Sequence, residues 1–403
     1  MRRLVLVAFA ALALFVPAAG GGPAGTPGVT KTQILIGGTV PLSGQASAFG
    51  AVGPAANAYF KYVNAHGGVH GRKIKYLYRD DGYDPSRTLE LTRELVEQDK
   101  VFAIFNTVGT EHTLAIRGYL NAVKVPEVFA GTGAAKVGRG YKQFPWTMGY
   151  LPSFEGEGAI YGRYIVAHRP KARIAVLYEN SDYGNDLLHG LQRGLGKHAS
   201  QIVSKQSYEV TDTDIRSQIA RLRTSKADTF MLFALPTYAI QGFVDAYKLG
   251  WFPRFFVSAV SIEPTIMSIA RMNTHGRETN NALSFAFVKD PTSPAWKRDP
   301  ATALYKRILK RYDKGGRPSD VYNWYGMTVA YSMVDALRHA GRNPTRTSFM
   351  RAVTHMNERS NPFLLPGVFV RTSPTNYFPI AKARMVRYRN TLWVLFGPLV
   401  NPR

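Results

Sequence analysis

The sequence contains no cysteine. That removes disulfides, thiolate metal sites, a sulfur nucleophile and the lipidated cysteine that anchors many exported proteins. Stability must come from core packing, which a chain of 403 residues can supply. Acidic residues are scarce: 27 Asp and Glu stand against 51 Lys and Arg, for a net charge of +24. Beyond the first twenty residues no apolar run approaches the about 20 residues that cross a bilayer. Catalytic signatures are missing as well, since there is no Gly-x-Ser-x-Gly, no His-Glu-x-x-His and no phosphate loop. His66 and His70 are four apart, but Gly67 and Gly68 put them in a turn rather than on one helix face. Glu111 and His112, being adjacent, point different ways on a helix and suit a surface or first-turn role. Asp80 and Asp81 read as loop and capping residues. No enzyme, metal or cofactor is expected from this inventory.

What is present starts with Arg2 and Arg3, an apolar run from Leu4 to Val16, then Pro17, Ala18, Ala19 and Gly20. This is the pattern of a secretory signal peptide followed by a flexible leader to residue 28. An exported, periplasmic or envelope-associated protein without a lipid anchor is expected. Removal of Arg2 and Arg3 lowers the charge by two, to +22. The remaining charges are scattered rather than clustered with aromatics, so they suit solubility and anionic envelope surfaces, not nucleic acid. Even the densest group, Arg384, Arg387 and Arg389, alternates with apolar residues as the solvated face of a strand.

From Lys31 strand and helix patterns alternate, as in a parallel sheet covered on both faces. Strands are expected at Gln33–Val40, Lys73–Arg79, Val101–Phe105 and Val125–Phe129. Val52, Ala55, Ala56, Tyr59, Phe60 and Val63 follow the helical period, and Gly67 and Gly68 end that helix. Asp84 and Pro85 supply the cap and first turn of another. The alternation restarts with strands at Arg173–Tyr178, Ile202–Tyr208, Thr229–Ala234 and Phe255–Ser258. Beyond Asn280 come helices around Leu304–Tyr312 and Tyr322–Ala340, then an alternating segment, Gly367 to Leu399, read as an antiparallel hairpin pair. The fold class is therefore α/β, with two Rossmann-like lobes.

Ligands of doubly wound sheets sit outside the carboxyl ends of the strands. The loops at those ends are Pro41–Gly50, Asn106–His112, Ala130–Ala135, Glu179–Gly184, Leu235–Tyr238 and Ser258–Glu263. Gly109, Thr110, Gly131, Thr132 and Gly133 offer close backbone approach and hydroxyls, while Phe49 and Tyr183 offer flat apolar walls. Such loops suit a small molecule bearing a carboxylate or an amide.

Gly38-Thr-Val-Pro-Leu-Ser-Gly44 through Phe49-Gly50 resembles the first strand and loop of the branched-chain amino-acid-binding proteins of bacterial ABC transporters. Asn64-Ala-His-Gly-Gly-Val-His-Gly-Arg-Lys-Ile74, Asp80-Asp81, Asp84-Pro85, Asp182-Tyr183-Gly184 and Phe396-Gly-Pro398 extend the likeness, in order, from about Lys31 to Val400. The resemblance implies a type I periplasmic-binding-protein fold whose lobes are joined by three crossings, near Gly149, Ser284 and Leu365. The lobes would comprise 29–149 with 285–365, and 150–284 with 366–403. It implies a ligand cleft between them, a membrane permease as partner and a monomeric carrier. By position, Gly109, Thr110, Gly131, Thr132 and Gly133 would anchor the ligand from the first lobe, and Phe49 would close the pocket. Tyr183, Pro236, Thr237, Ser258 and Ser261 would contact it from the second lobe, and Tyr322 from the late helix. One departure concerns the ligand: the acid that follows the strand ending at Ser258 in the amino-acid-binding members is replaced by Val260 or Ser261. A buried ammonium without a charged partner is costly, so a free amino acid needs Glu263 or Asp182 as substitute. An aromatic or aliphatic carboxylate, or an amide, is the other expectation. An exported ligand sensor is the rival reading, and the absence of a membrane helix before Arg403 favours a diffusible carrier.

Overall fold

The computed structural model describes residues 25–402. The expected signal peptide through residue 24 lies outside the described residues. In the first half, β1 (Gln33–Val40), β2 (Lys73–Asp80), β3 (Ile104–Phe105), β4 (Glu127–Ala130) and β5 (Thr147–Gly149) form one sheet in the order β2-β1-β3-β4-β5, every pair parallel. They are connected by α1 (Val52–Ala65), α2 (Pro85–Glu97), α3 (Thr110–Ala122) and the single turn α4 (Ala135–Gly138). β1 has Ile34, Ile36 and Val40 buried, as a strand covered on both faces requires. Asp84 caps α2 by accepting from the Ser86 and Arg87 N–H groups, with Pro85 in the first turn.

The chain then crosses to a second sheet. α5 (Phe154–His168) precedes β6 (Ile174–Glu179), α6 (Asp182–Leu195), β7 (Ile202–Tyr208), α7 (Arg216–Thr224), β8 (Thr229–Phe233), α8 (Pro236–Lys248), β9 (Arg254–Val257), α9 (Pro264–Asn273) and β10 (Leu283–Ala286). α5 and α6 meet at backbone distance. A Cβ on Gly158 would lie 2.1 Å from the Leu187 carbonyl oxygen, and one on Gly190 would lie 2.0 Å from that of Glu155. Glycine at these two positions therefore sets how close the helices pack, and with it the positions of Glu157 and Tyr183 at their N-terminal ends.

α10 (Pro300–Tyr312), α11 (Val321–His339) and α12 (Arg346–Val353) return to the first lobe, where α11 packs along α1 and Arg346 donates to the Val101 and Phe102 carbonyls. A two-stranded ribbon follows, β11 (Asn357–Glu358) with β12 (Val370–Arg371). The chain ends in the hairpin β13 (Ala383–Arg389) and β14 (Leu392–Val400), which completes the second sheet in the order β14-β13-β10-β9-β8-β6-β7. Asn390 and Thr391 both have positive φ, the backbone shape a two-residue hairpin turn demands.

The crossings follow the expected order with shifted positions. Ser284 lies inside β10, opposite Val386, so the second sheet holds the chain to Ala286. Leu364 bridges Val288, and the Leu365 N–H donates to the Phe287 carbonyl, so the outgoing and returning segments run side by side. After Leu365 the chain still touches the first lobe, where Tyr377 donates to the Pro145 carbonyl, and it rejoins the second sheet at Ala383. β10 is four residues of Leu-Ser-Phe-Ala, too short for a period to identify it as a strand.

Candidate ligand-binding site

A cavity of about 750 Å³ lies between the lobes, at the carboxyl ends of β1, β3, β4, β6 and β9. Eight aromatic rings line it: Phe49, Tyr83, Phe154, Tyr183, Phe285, Phe287, Tyr322 and Tyr325. Phe49 stands edge-on to Tyr322 at 5.0 Å, and Phe154 edge-on to Tyr183 at 4.9 Å, so each lobe contributes a fixed aromatic pair. Its volume falls in the range of sites for organic small molecules.

Six of the twelve residues singled out from sequence line this cavity: Phe49, Gly109, Thr110, Gly131, Tyr183 and Tyr322. The other six do not. Thr132 is buried behind Thr110, and its hydroxyl pairs with that of Thr110 at 2.8 Å and accepts from the Ala134 N–H. Gly133 sits against the first crossing, where a Cβ would lie 1.9 Å from the Pro152 carbonyl oxygen. Pro236 and Thr237 form the first turn of α8 rather than a loop, and Thr237 donates instead to the Gln45 carbonyl of the first lobe. Ser261 donates to the Ala234 carbonyl, and the Ser258 hydroxyl is buried with no hydrogen-bond partner among the described residues.

The backbone donors also differ from the expected ones. The Gly109 and Gly131 N–H groups are taken by the Gly131 and Thr107 carbonyls, because the ends of β3 and β4 keep pairing beyond their last strand residues, and the Thr132 N–H is taken by the Ala130 carbonyl in a tight local turn. Among the described residues the first-turn N–H groups of α3, at Thr110, Glu111 and His112, have no backbone partner, as at any helix N-terminus. Gly109 reaches that cap with φ of 114°, and a side chain there would meet the His112 ring.

The lobes touch across the cleft. Lys136 Nζ is 2.8 Å from Asp182 Oδ2, the Asp182 N–H donates to Glu111 Oε1, and the Ala135 N–H donates to Asp186 Oδ2. Elsewhere along the cleft Tyr322 donates to the Val260 carbonyl.

Residues 33–391 match the model of a family described as periplasmic binding protein. The chain belongs to this family. A Leu/Ile/Val-binding protein homolog from Brucella suis is 24% identical over 327 residues, covering 78% of this chain and 81% of the relative. A structure of a branched-chain amino acid ABC transporter protein from Thermus thermophilus with bound valine superposes with a TM-score of 0.81 at 17% identity, covering 93% of this chain and 97% of the other. A solute-binding protein from Rhodopseudomonas palustris in complex with 3,4-dihydroxybenzoic acid gives 0.74 at 19% identity, covering 92% and 98%. The fold is that of a type I periplasmic binding protein, and the chain is a solute-binding protein, from a family of extracytoplasmic substrate-binding proteins rather than enzymes. Among the described residues no helix is long and apolar enough to cross a membrane.

The side chains that charge the cavity of this periplasmic binding protein escaped sequence reasoning. Asp84, Glu111, Glu157, Glu179 and Glu209 line it, and among the described residues no lysine or arginine does. Burial pushes Glu157 up to about 7 and Glu179 up to about 7, even though each accepts a tyrosine hydroxyl, from Tyr161 and Tyr208 respectively. His112, read as a surface or first-turn residue, is in the first turn but buried against the Tyr83 ring at 4.1 Å. Burial holds its pKa below the ordinary histidine value, and Asp81 opposes that shift. The two proposed substitutes for the missing acid lie elsewhere: Glu263 caps α9, and Asp182 holds Lys136. A usable signal was Glu157 itself, an acid among the buried Phe154, Gly156, Gly158, Ala159 and Ile160 of α5.

Proposed function

We propose that this protein is the solute-binding component of an ABC importer, an exported monomer that closes on a small organic ligand and presents it to a membrane permease. The ligand has a broad apolar or aromatic body and one polar end, an amino acid, carboxylate or amide, set against Thr110 and the first-turn N–H groups of α3. The observation that carries this reading is the cavity between the lobes, walled by eight aromatic rings and, among the described residues, lined by no lysine or arginine. A dianion would find no counter-charge there and would face five carboxyl groups. Contacts from Tyr183 and its neighbours form only when the second lobe has swung over the first, so ligand selects the closed shape through its differential affinity.

A thermal-shift screen over amino acids, aromatic acids, short carboxylates and amides tests this. A true ligand at about a hundred times its Kd stabilises the protein by roughly 3 kcal/mol and raises the melting temperature, and it is recovered unchanged in stoichiometric amount. Conversion of the ligand, or no stabilisation by any class, refutes the proposal.

A further inference from the structure

The scattered distribution expected of the cations does not hold around α10. Residues 297–317 carry eight lysines and arginines against two acids. At 3.6 residues per turn, Lys306, Arg307, Lys310 and Arg311 project within about 140° of one another around the helix axis. All four are exposed, as is Lys314 just past the end of the helix. The opposite side, formed by Thr302, Tyr305, Ile308 and Leu309, is buried, and α1 packs beside the helix. One helix of the first lobe thus turns a wholly cationic face outward.

The acids nearby are engaged elsewhere. Asp299 caps α10 by accepting from the Ala301 N–H and pairs with Lys289. Asp320 caps α11 and pairs with Arg317. Asp313 feels the charge of Lys61 on α1. Among the described residues none of the five exposed cations of this face takes part in an ion pair. Like charges four residues apart, as at Lys306 with Lys310 and Arg307 with Arg311, destabilise a helix. An extended anionic surface would supply the counter-charge that the fold withholds.

We propose that the exposed face of α10 docks this protein on the anionic headgroups of a membrane. A bilayer fits the face better than other polyanions do. The family is extracytoplasmic, which puts lipid headgroups rather than nucleic acid within reach. The face also lacks the aromatic platforms on which bases stack, because Tyr305 is buried and Tyr312 is half-buried with the Arg311 guanidinium 5.4 Å from its ring. A convex helix side about 20 Å long matches a broad surface and offers no pocket for a single anion. Because the apolar side of α10 is already used in the first lobe, the helix cannot sink into the acyl region as a free amphipathic helix does. Docking is therefore peripheral and held by charge alone.

The test is co-sedimentation of the full chain with vesicles of phosphatidylglycerol and phosphatidylcholine in equal parts, beside vesicles of phosphatidylcholine alone. The protein should bind the mixed vesicles at about 0.05 M salt, leave them at about 0.5 M, where screening cuts the attraction to a few ångströms, and ignore the neutral ones. Replacing Lys306, Arg307, Lys310 and Arg311 together with Gln should weaken this binding by roughly several hundredfold, about fivefold for each cation. Gln is a good helix former and the positions are exposed, so the melting temperature should not fall. A second variant, with Gln at Lys197, Lys205, Arg223 and Lys226, removes the same charge from exposed positions of the second lobe and should weaken binding no more than a few-fold. Equal losses in the two variants would make the attraction a property of net charge and overturn the assignment to α10. So would binding that survives the higher salt or the loss of the four α10 cations, and so would no binding to the mixed vesicles at low salt. Tighter binding to a duplex oligonucleotide than to the mixed vesicles, lost in the α10 variant, would overturn the bilayer as partner. The solute-binding reading stands or falls separately, on the ligand screen.

Discussion

Glu127 offers a test of the first lobe that does not depend on knowing the ligand. It opens β4, the strand that carries Ala130 and Gly131 to the cavity, and it is fully buried between β3 and β5. One carboxyl oxygen accepts from the Thr147 hydroxyl at 3.0 Å, and the other has no partner among the described residues. Burial pushes the group from 4.5 up to about 8, with the Thr147 bond and the Arg117 charge only partly opposing. In the unfolded chain this carboxyl ionises near its ordinary value, whereas in the folded protein it keeps its proton to about pH 8. Folding therefore takes up a proton between those limits, and stability falls as pH rises through the window. The linkage from 4.5 to about 8 amounts to roughly 5 kcal/mol. Glu127→Gln keeps the acceptor for Thr147 and cannot ionise. Relative to wild type the variant should gain about 5 kcal/mol between about pH 4.5 and pH 8, while the other buried carboxyls cancel in the comparison. Urea unfolding of both proteins across that range measures the difference. A difference that stays flat with pH, or one that shrinks as pH rises, would show that the wild-type carboxyl is not held protonated and would refute the reasoning.

Tyr183→Ala removes a buried ring that packs on Phe154; it should cost about 3 kcal/mol of stability and reduce the ligand-induced compaction seen by small-angle scattering, and unchanged compaction would remove Tyr183 from closure. Thr110→Ala with Thr132→Ala deletes the paired hydroxyls beside the α3 N-terminus and should weaken ligand binding while leaving the circular dichroism spectrum intact; an unaltered Kd would exclude both from recognition. Lys136→Ala with Thr237→Ala cuts two contacts that join the lobes. Because Lys136 and Thr237 are partly exposed, each contact is worth about 1 kcal/mol or less, so the Kd should rise only a few-fold; a rise beyond a hundredfold would mean these contacts hold the ligand rather than the lobes. Gly118→Ala, in the exposed middle of α3 with open space around its Cα, should stabilise by about 0.5–1 kcal/mol in thermal unfolding, and a loss of stability would show that α3 is not a regular helix there.

The sequence by itself determined the order of strands and helices and where most of them begin. Gln33–Val40 reads as a buried strand because every residue needed for two covered faces is local to it, and the Asp84-Pro85 start of α2 depends on atoms within four residues. It also placed Phe49, Gly109, Thr110 and Gly131 at strand ends, where a doubly wound sheet must put its ligand. Only the tertiary structure decided which side chains complete the cavity. Glu157 and Glu179 lie in different elements from the turn where an acid was sought, and their approach depends on two helices touching through Gly158 and Gly190 and on β6 lying beside β7. Tertiary packing likewise consumed the Gly131 N–H group and sent Ser261 to the Ala234 carbonyl. Periodicity tells which face of an element is buried. It does not tell what that face is buried against, and both the ionisation of a buried acid and the free valence of a buried hydroxyl are set by that neighbour.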